Sequence, residues 1–270
     1  MTAILIGTSH GTDDPAGQAA VRALLDGVRA ARPELDVREA FVDVQQPEVG
    51  EVLAGAMRDA GDAASDDAPV AGAPDGGPVA VVVPLLLSTG YHVQHDIAQA
   101  VAAVNAADGG ASVAAEPLGP HPLLVDILVD RYAAAEAAHG PFRSDDAVVL
   151  AAAGSSVAAA ATAVEEVTSA LAQRLGRAVT PSYGAGAEPR VPDAVAAARV
   201  SVGDVPGAAG PAGAPRVIVV SYLLAPGYFL DRVLEAGADI VTDPVCGPAG
   251  ADKADPRLVQ VVLDRYDAAV

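Results

Sequence analysis

The feature that most constrains this chain is an internal duplication. Three segments of the first half align, in order, with three segments of the second: 41–49 with 183–191, 81–92 with 218–229, and 121–132 with 255–266. The middle pair brings Gly90-Tyr91 into register with Gly227-Tyr228. The 270 residues therefore predict one unit of about 135 residues used twice, which is an ordinary domain size. The predicted lobes are residues 1–140 and 141–270.

Short β-branched runs, such as residues 81–83 and 217–220, alternate with longer Ala-, Leu- and Val-rich segments of helical spacing. This pattern predicts strand–helix units around a parallel sheet whose strands are buried on both faces. The runs divide into two sets of four strands and four helices. The predicted fold class is α/β, with two similar lobes that each hold a parallel four-stranded sheet flanked by helices.

Composition excludes several classes of function. A formal net charge of -19 opposes binding to nucleic acid, because a phosphate-neutralising surface is missing. The lone cysteine, Cys246, excludes an intramolecular disulfide and a cysteine-rich metal site. Residues 147–164 carry no charge, but Gly154-Ser155-Ser156 interrupts them, so we predict strand, turn and helix and no membrane span. With no signal-like N-terminus, the expected compartment is the cytoplasm.

The first candidate site is the stretch from Gly7 to Pro15, which follows the first predicted strand and precedes a helix. Ligands bind at this end of strands in open parallel sheets. The glycines allow a sharp turn that aims His10 outward, although a structural histidine beside a turn is also compatible with the pattern. The same residues match the G-x-S-x-G elbow of serine hydrolases, with Ser9 as nucleophile, but no Gly-rich oxyanion segment precedes it.

The second candidate site runs from Pro84 to Ile97, again at the end of a predicted strand. His92 and His95 are three residues apart and chelate one metal if both lie on a helix. If His92 instead precedes the predicted helix 93–106, it alone faces the cleft and His95 lies on the helix surface.

The second lobe lacks both histidines of these sites. Ala153 stands at the first position and Phe229 at the second. Chemistry is therefore expected in the first lobe only. Tyr222, Pro226, Tyr228 and Phe229 offer flat apolar surface for a flat ligand.

Taken together, these segments resemble the class II chelatases of the sirohydrochlorin cobalt- and iron-chelatase type, in their two-lobed long form. The resemblance rests on Ser-His-Gly-Thr at 9–12, on residues 84–97, and on residues 223–232. It implies insertion of Fe²⁺ or Co²⁺ into sirohydrochlorin without ATP, for siroheme or cobalamin biosynthesis, in a cleft between the lobes. Because one chain supplies both lobes, a monomer is plausible.

The resemblance also implies roles for individual residues. His10 matches the principal catalytic and metal-contacting histidine, and His92 matches the second. Possible substrate contacts, some of which are also possible metal contacts, are Leu87, Ser88, Thr89, Gly90, Tyr91, Gln46 and Glu48. Thr12 and Asp13 depart from the Ser or Arg that the family often has after its first motif.

Imidazole suits this chemistry, because it accepts protons near neutral pH and binds Fe²⁺ or Co²⁺. The expected partners are a tetrapyrrole and a divalent metal, with no cofactor beyond that metal. Arg190 and Arg232 are candidates for pairing with the substrate's carboxylates. The choice among iron, cobalt and nickel stays open. A non-catalytic tetrapyrrole or metal carrier is the main alternative, and the serine hydrolase is the next.

Overall fold

The structure, a computed structural model, describes residues 2–64, 77–88, 90–108, 111–203, 214–248 and 250–270. For residues 63, 64, 91–94 and 108 it describes the backbone alone. Strands and helices alternate along the described chain. The strands are β1 Ile4–Ser9, β2 Val37–Phe41, β3 Ala80–Pro84, β4 Ser112–Ala114, β5 Ala147–Ala152, β6 Thr180–Tyr183, β7 Val217–Tyr222 and β8 Ile240–Val241. The helices are α1 Pro15–Ala31, α2 Val49–Ala64, α3 Tyr91–Asp108, α4 Pro122–His139, α5 Ala158–Leu175, α6 Val191–Ser201, α7 Tyr228–Leu234 and α8 Pro256–Asp267.

The strands form two parallel four-stranded sheets, with the orders β2-β1-β3-β4 and β6-β5-β7-β8. The valine runs 81–83 and 217–220 include the buried centres of β3 and β7, as expected for parallel strands covered on both faces. The two sheets repeat one topology, so the predicted α/β class with two similar lobes is confirmed.

The chain divides into two compact units that do not coincide with the halves of the repeat. The first unit comprises Met1–Leu118 and Asp252–Val270, and the second comprises Gly119–Ala251. Helix α4 consequently belongs to the second unit, where it packs on α5 and β7. Helix α8 belongs to the first unit, where it packs on α1 and β3. The last helix of each repeat therefore packs in the unit that is formed mainly by the other repeat.

Helix α8 completes the first unit through an apolar face, an ion pair between Arg32 and Asp267, and further hydrogen bonds. The Tyr266 hydroxyl donates to the carbonyl of Ala3 at 2.6 Å, and the Arg265 guanidinium donates to the carbonyl of Leu118 at 3.1 Å. The buried side chains of this helix are Leu258, Val259, Val261, Val262, Leu263 and Tyr266. The last helix of the chain is thus part of the core that supports β1.

The uncharged stretch 147–164 folds as predicted, since it forms β5, a turn and the start of α5. Among the described helices, none combines the length and the apolar character that a membrane crossing needs.

Candidate functional site

His10 lies at the carboxyl end of β1 with an exposed side chain. Its carbonyl oxygen accepts the N–H of Asp43 at 3.1 Å, and the carbonyl of Ser9 accepts the N–H of Val42 at 3.0 Å. Since β1 and β2 are parallel neighbours, both loops leave the same edge of the sheet. The His10 loop is therefore fixed, through its backbone, to the loop that follows β2.

Two residues with positive φ shape this contact. Gly11 has φ +92°, and a Cβ there would lie only 2.7 Å from the carbonyl oxygen of Asp43. Val44 has φ +50°, an unusual conformation for a β-branched residue. The close approach of the two loops therefore requires glycine at position 11.

Asp43 is a functional candidate that the sequence reasoning missed. Its backbone N–H bonds to His10, its side chain is exposed, and its Oδ1 accepts the N–H of Val44 at 2.8 Å. Its position in the sequence could have identified it, because Asp43 comes just after β2 as His10 comes just after β1. A carboxylate at this position adds an oxygen ligand for a metal and a proton acceptor to the edge of the sheet where His10 lies.

The predicted contacts Gln46 and Glu48 lie in the same loop, and both are exposed. The amide Nε2 of Gln46 donates to Glu48 Oε1 at 3.4 Å. Gln45 instead reaches the His10 loop, where its Oε1 accepts the N–H of Thr12 at 2.9 Å. The sequence reasoning did not single out Gln45, since nothing in a Gln-Gln pair distinguishes the first member from the second.

The loop after β3 joins the same edge of the sheet. The N–H of Leu85 donates to the carbonyl of Thr8 at 2.8 Å, which ties the start of this loop to β1. Of the predicted substrate contacts, Leu87 is buried, while Ser88 and Gly90 are half-buried. Thr89 lies outside the described residues.

The backbone places His92 on a helix. Helix α3 begins at Tyr91, two residues before the predicted start, so His92 and His95 both belong to it. The side chains of Tyr91 and His92 lie outside the described part of the chain. His95 is exposed, and its Nε2 lies 2.8 Å from Nε2 of Gln99. Among the side chains that the structure does describe, no three His, Cys, Asp or Glu residues form a metal-holding group.

Ser9 does not have the geometry of a hydrolytic nucleophile. It is the last residue of β1 and only 6% exposed, whereas an elbow serine projects from a sharp turn. No histidine among the described side chains forms a hydrogen bond with it. A nucleophile needs such a base in reach, so the arrangement disfavours the hydrolase reading.

Residues 4–135 match the model of the CbiX family. This region of the chain belongs to the CbiX family. The matched region runs from the first residue of β1 into α4 and includes both His10 and His92. A sequence comparison with curated proteins finds no match.

Several solved structures share the fold of this chain. SirB from Bacillus subtilis with Fe³⁺ is 17% identical, with a TM-score of 0.73, over 100% of this chain and 96% of its own. The cobalt complex of the sirohydrochlorin chelatase SirB from Bacillus subtilis subspecies spizizenii is 15% identical, with a TM-score of 0.69 and the same coverage. CbiX, described as the terminal enzyme of siroheme biosynthesis in denitrifying bacteria, is 20% identical, with a TM-score of 0.56 over all of both chains. At these identities the likeness establishes the fold.

In the second unit, an aromatic ring stands at the position that corresponds to His92. Phe229 packs so closely on Gly184 that a Cβ at Gly184 would lie 2.7 Å from the ring's Cδ1. Tyr228, the first residue of α7, is 70% exposed and offers a flat apolar surface. Tyr222, expected to add to that surface, is buried because it ends the central strand β7.

The two arginines proposed as carboxylate ligands differ in their surroundings. Arg232 pairs with Glu235 at 2.9 Å, and its guanidinium carbon lies 5.6 Å from the ring centre of Tyr228. Arg190 is half-buried at the start of α6, and within the described residues its guanidinium forms no ion pair. Arg190 is therefore the better placed of the two to accept a new carboxylate partner.

Proposed function

We propose that this protein inserts Fe²⁺ or Co²⁺ into sirohydrochlorin without ATP, a step that would serve siroheme or cobalamin synthesis. The observation that carries the proposal is the exposed His10, whose backbone is hydrogen-bonded to Asp43 at the carboxyl edge of the sheet in the CbiX-family region. The matched SirB and CbiX structures, one with Fe³⁺ and one with cobalt, support the same reaction class.

The reaction needs a proton acceptor and a weak metal ligand. Two pyrrole N–H protons leave the macrocycle as the metal enters. Neutral imidazole has one free lone pair, so His10 first binds the divalent ion and, once the ion has passed to the ring, accepts one of these protons. The other proton goes to the partner group. We assign His92 as the partner, and Asp43 supplies a carboxylate on the same edge. A small set of ligands suits a metal that must be released to the ring, because a complete four-ligand site would retain it.

The substrate's carboxylates require positive partners in a chain of net charge -19. Arg190 is our leading candidate, because its guanidinium is not already committed to a carboxylate among the described residues. A guanidinium binds a carboxylate through two parallel hydrogen bonds. Replacing Arg190 with alanine should raise KM for sirohydrochlorin and leave kcat nearly unchanged.

The proposal is tested by mixing the purified protein with sirohydrochlorin and either Fe²⁺ or Co²⁺ and following the absorbance of the macrocycle. His10→Ala and His92→Ala should each lower the rate by about 100-fold or more, the usual contribution of a general base. His139→Ala is the matched control, since His139 is exposed at the end of α4. Wild-type protein that gives no acceleration with either metal would refute the proposal.

The same assay separates the alternatives. An enzyme converts an excess of substrate, whereas a tetrapyrrole or metal carrier stops at one equivalent per chain. A hydrolase with Ser9 as nucleophile would lose its activity in Ser9→Ala and keep it in His92→Ala.

A further inference from the structure

The backbone of Thr12 is held by two glutamine side chains, one at its N–H and one at its carbonyl. The N–H of Thr12 donates to Oε1 of Gln45 at 2.9 Å, and the carbonyl of Thr12 accepts from Nε2 of Gln18 at 2.8 Å. Gln45 comes from the loop after β2 and Gln18 from α1. We call Gln45, Thr12 and Gln18 the Thr12 clamp.

The two glutamines have opposite roles in the clamp. A backbone N–H only donates and a carbonyl only accepts, so Gln45 must present its oxygen and Gln18 its nitrogen. The clamp is therefore an oriented pair of hydrogen bonds. Each glutamine is half-buried, which limits the competition from water.

The clamp acts two residues from His10, in a loop that is also fixed at His10 itself. The carbonyl of His10 accepts the N–H of Asp43 at 3.1 Å, and Gly11 lies against the same loop. The backbone is thus fixed at the histidine and again at Thr12. The fixed backbone sets the direction in which the Cα–Cβ bond of His10 leaves the loop, and so limits the region that the imidazole can reach.

The second unit shows that the fold does not need the clamp. Its loops keep the corresponding backbone bonds, from Gly184 to Ala152 and from Ala185 to Ala153, both at 2.8 Å. The positions that match His10, Gln18 and Gln45 are all alanine there: Ala153, Ala161 and Ala187. The histidine and both clamp glutamines are therefore absent together, while the surrounding backbone geometry is retained.

We infer that Gln45 and Gln18 are positioning residues that hold the His10 loop in the orientation needed for metal binding and proton transfer. The inference rests on the proposed function for the identity of the reaction. The clamp holds the loop, and His10 carries the chemistry. Loss of a group that orients a metal-binding side chain typically costs about 10- to 100-fold in metal affinity or activity.

The opposite roles of the glutamines provide a test that a purely structural role would not pass. Glutamate keeps an acceptor oxygen but has no N–H donor. Q45E should therefore preserve the hydrogen bond from the N–H of Thr12, whereas Q18E should lose the hydrogen bond to the carbonyl of Thr12. The variants are Q45A, Q45E, Q18A and Q18E. Q260A is the control, because Gln260 on α8 is exposed and its amide donates to Asp264 of the same helix.

All measurements use the full-length chain. NMR follows the amide exchange of Thr12, and the broadening of the His10 ring signals by added Co²⁺ gives the affinity for the metal alone. The absorbance assay gives kcat and KM for metal insertion. The unfolding temperature of each variant confirms that the protein is folded.

Q45A should speed the exchange of the Thr12 amide about tenfold. Q45A, Q18A and Q18E should weaken Co²⁺ binding and lower kcat by about 10-fold or more with little change in KM. Q45E should recover most of what Q45A loses, and Q260A should match the wild type.

The inference is overturned if Q45A and Q18A bind Co²⁺ with wild-type affinity, or if Q45E is as impaired as Q45A while Q18E is not. A wild-type protein that inserts no metal would refute the proposed function instead. In that case Thr12 exchange and Co²⁺ affinity still decide whether the clamp positions His10.

Discussion

Because α4 and α8 each pack in the unit formed mainly by the other repeat, the structure predicts which unit loses stability when a buried leucine of either helix is replaced. Leu124 on α4 and Leu258 on α8 occupy equivalent positions in the repeat, and both are completely buried. Removing a core leucine side chain costs about 2–5 kcal/mol. We expect Leu124→Ala to destabilise the second unit and Leu258→Ala to destabilise the first, although Leu258 is far from β1 in sequence.

Native-state hydrogen exchange with mass spectrometry resolves the two units, using peptides that cover β1 and β5. At about 1.4 kcal/mol per tenfold, the expected loss raises the exchange rate by roughly 30-fold to a few thousand-fold. Leu258→Ala should raise it in β1, and Leu124→Ala should raise it in β5. The volume-conserving L258M and L124M are controls, with an expected cost below about 1.5 kcal/mol. Faster exchange of β5 in Leu258→Ala, with β1 unchanged, would refute the packing of α8 in the first unit.

Three further predictions concern single side chains. Tyr266→Phe leaves the Ala3 carbonyl without its 2.6 Å hydrogen bond and should lower the free energy of unfolding by about 1–3 kcal/mol in urea denaturation. Val44→Gly relieves a strained φ of +50° and, after the entropy cost of glycine, should stabilise the protein by roughly 0.5–1 kcal/mol in the same assay. Burial raises the pKa of Asp146, but hydrogen bonds from Arg216 and Arg143 outweigh it, and the net pKa is lowered. This stabilisation is present above the ordinary carboxyl pKa of about 3.9 and is lost as pH falls through the lower folded value, so Asp146→Asn should be less stable at pH 7 and less acid-sensitive below about pH 4.

The repeat made much of the fold predictable from sequence. Valine runs of strand length and aligned Gly-Tyr pairs fix the elements and their pairing in two copies, and the sheets follow that pattern. The unit in which α4 and α8 each pack was not predictable from the sequence. An apolar face such as that of α8 fits either sheet equally well, because the repeats that produced the sheets are similar.

The candidate site was predictable where a side chain directly follows a strand, as His10 does. Gln45 was not predictable, because its bond to Thr12 depends on the turn at Val44, and a β-branched residue is the least expected there. His92 was left between loop and helix, since helix starts are uncertain by a few residues and α3 begins at Tyr91.

The contact between Tyr266 and Ala3 brings both ends of the chain into one unit. A short linker from residue 270 to residue 1, combined with a cut between Leu118 and Gly119, would give a circular permutant. Its order would be 119–251 followed by 252–270, the linker and 1–118, so each unit would be continuous in sequence. In this permutant the two segments of the first unit follow each other in sequence, so each unit can be expressed separately and their stabilities compared.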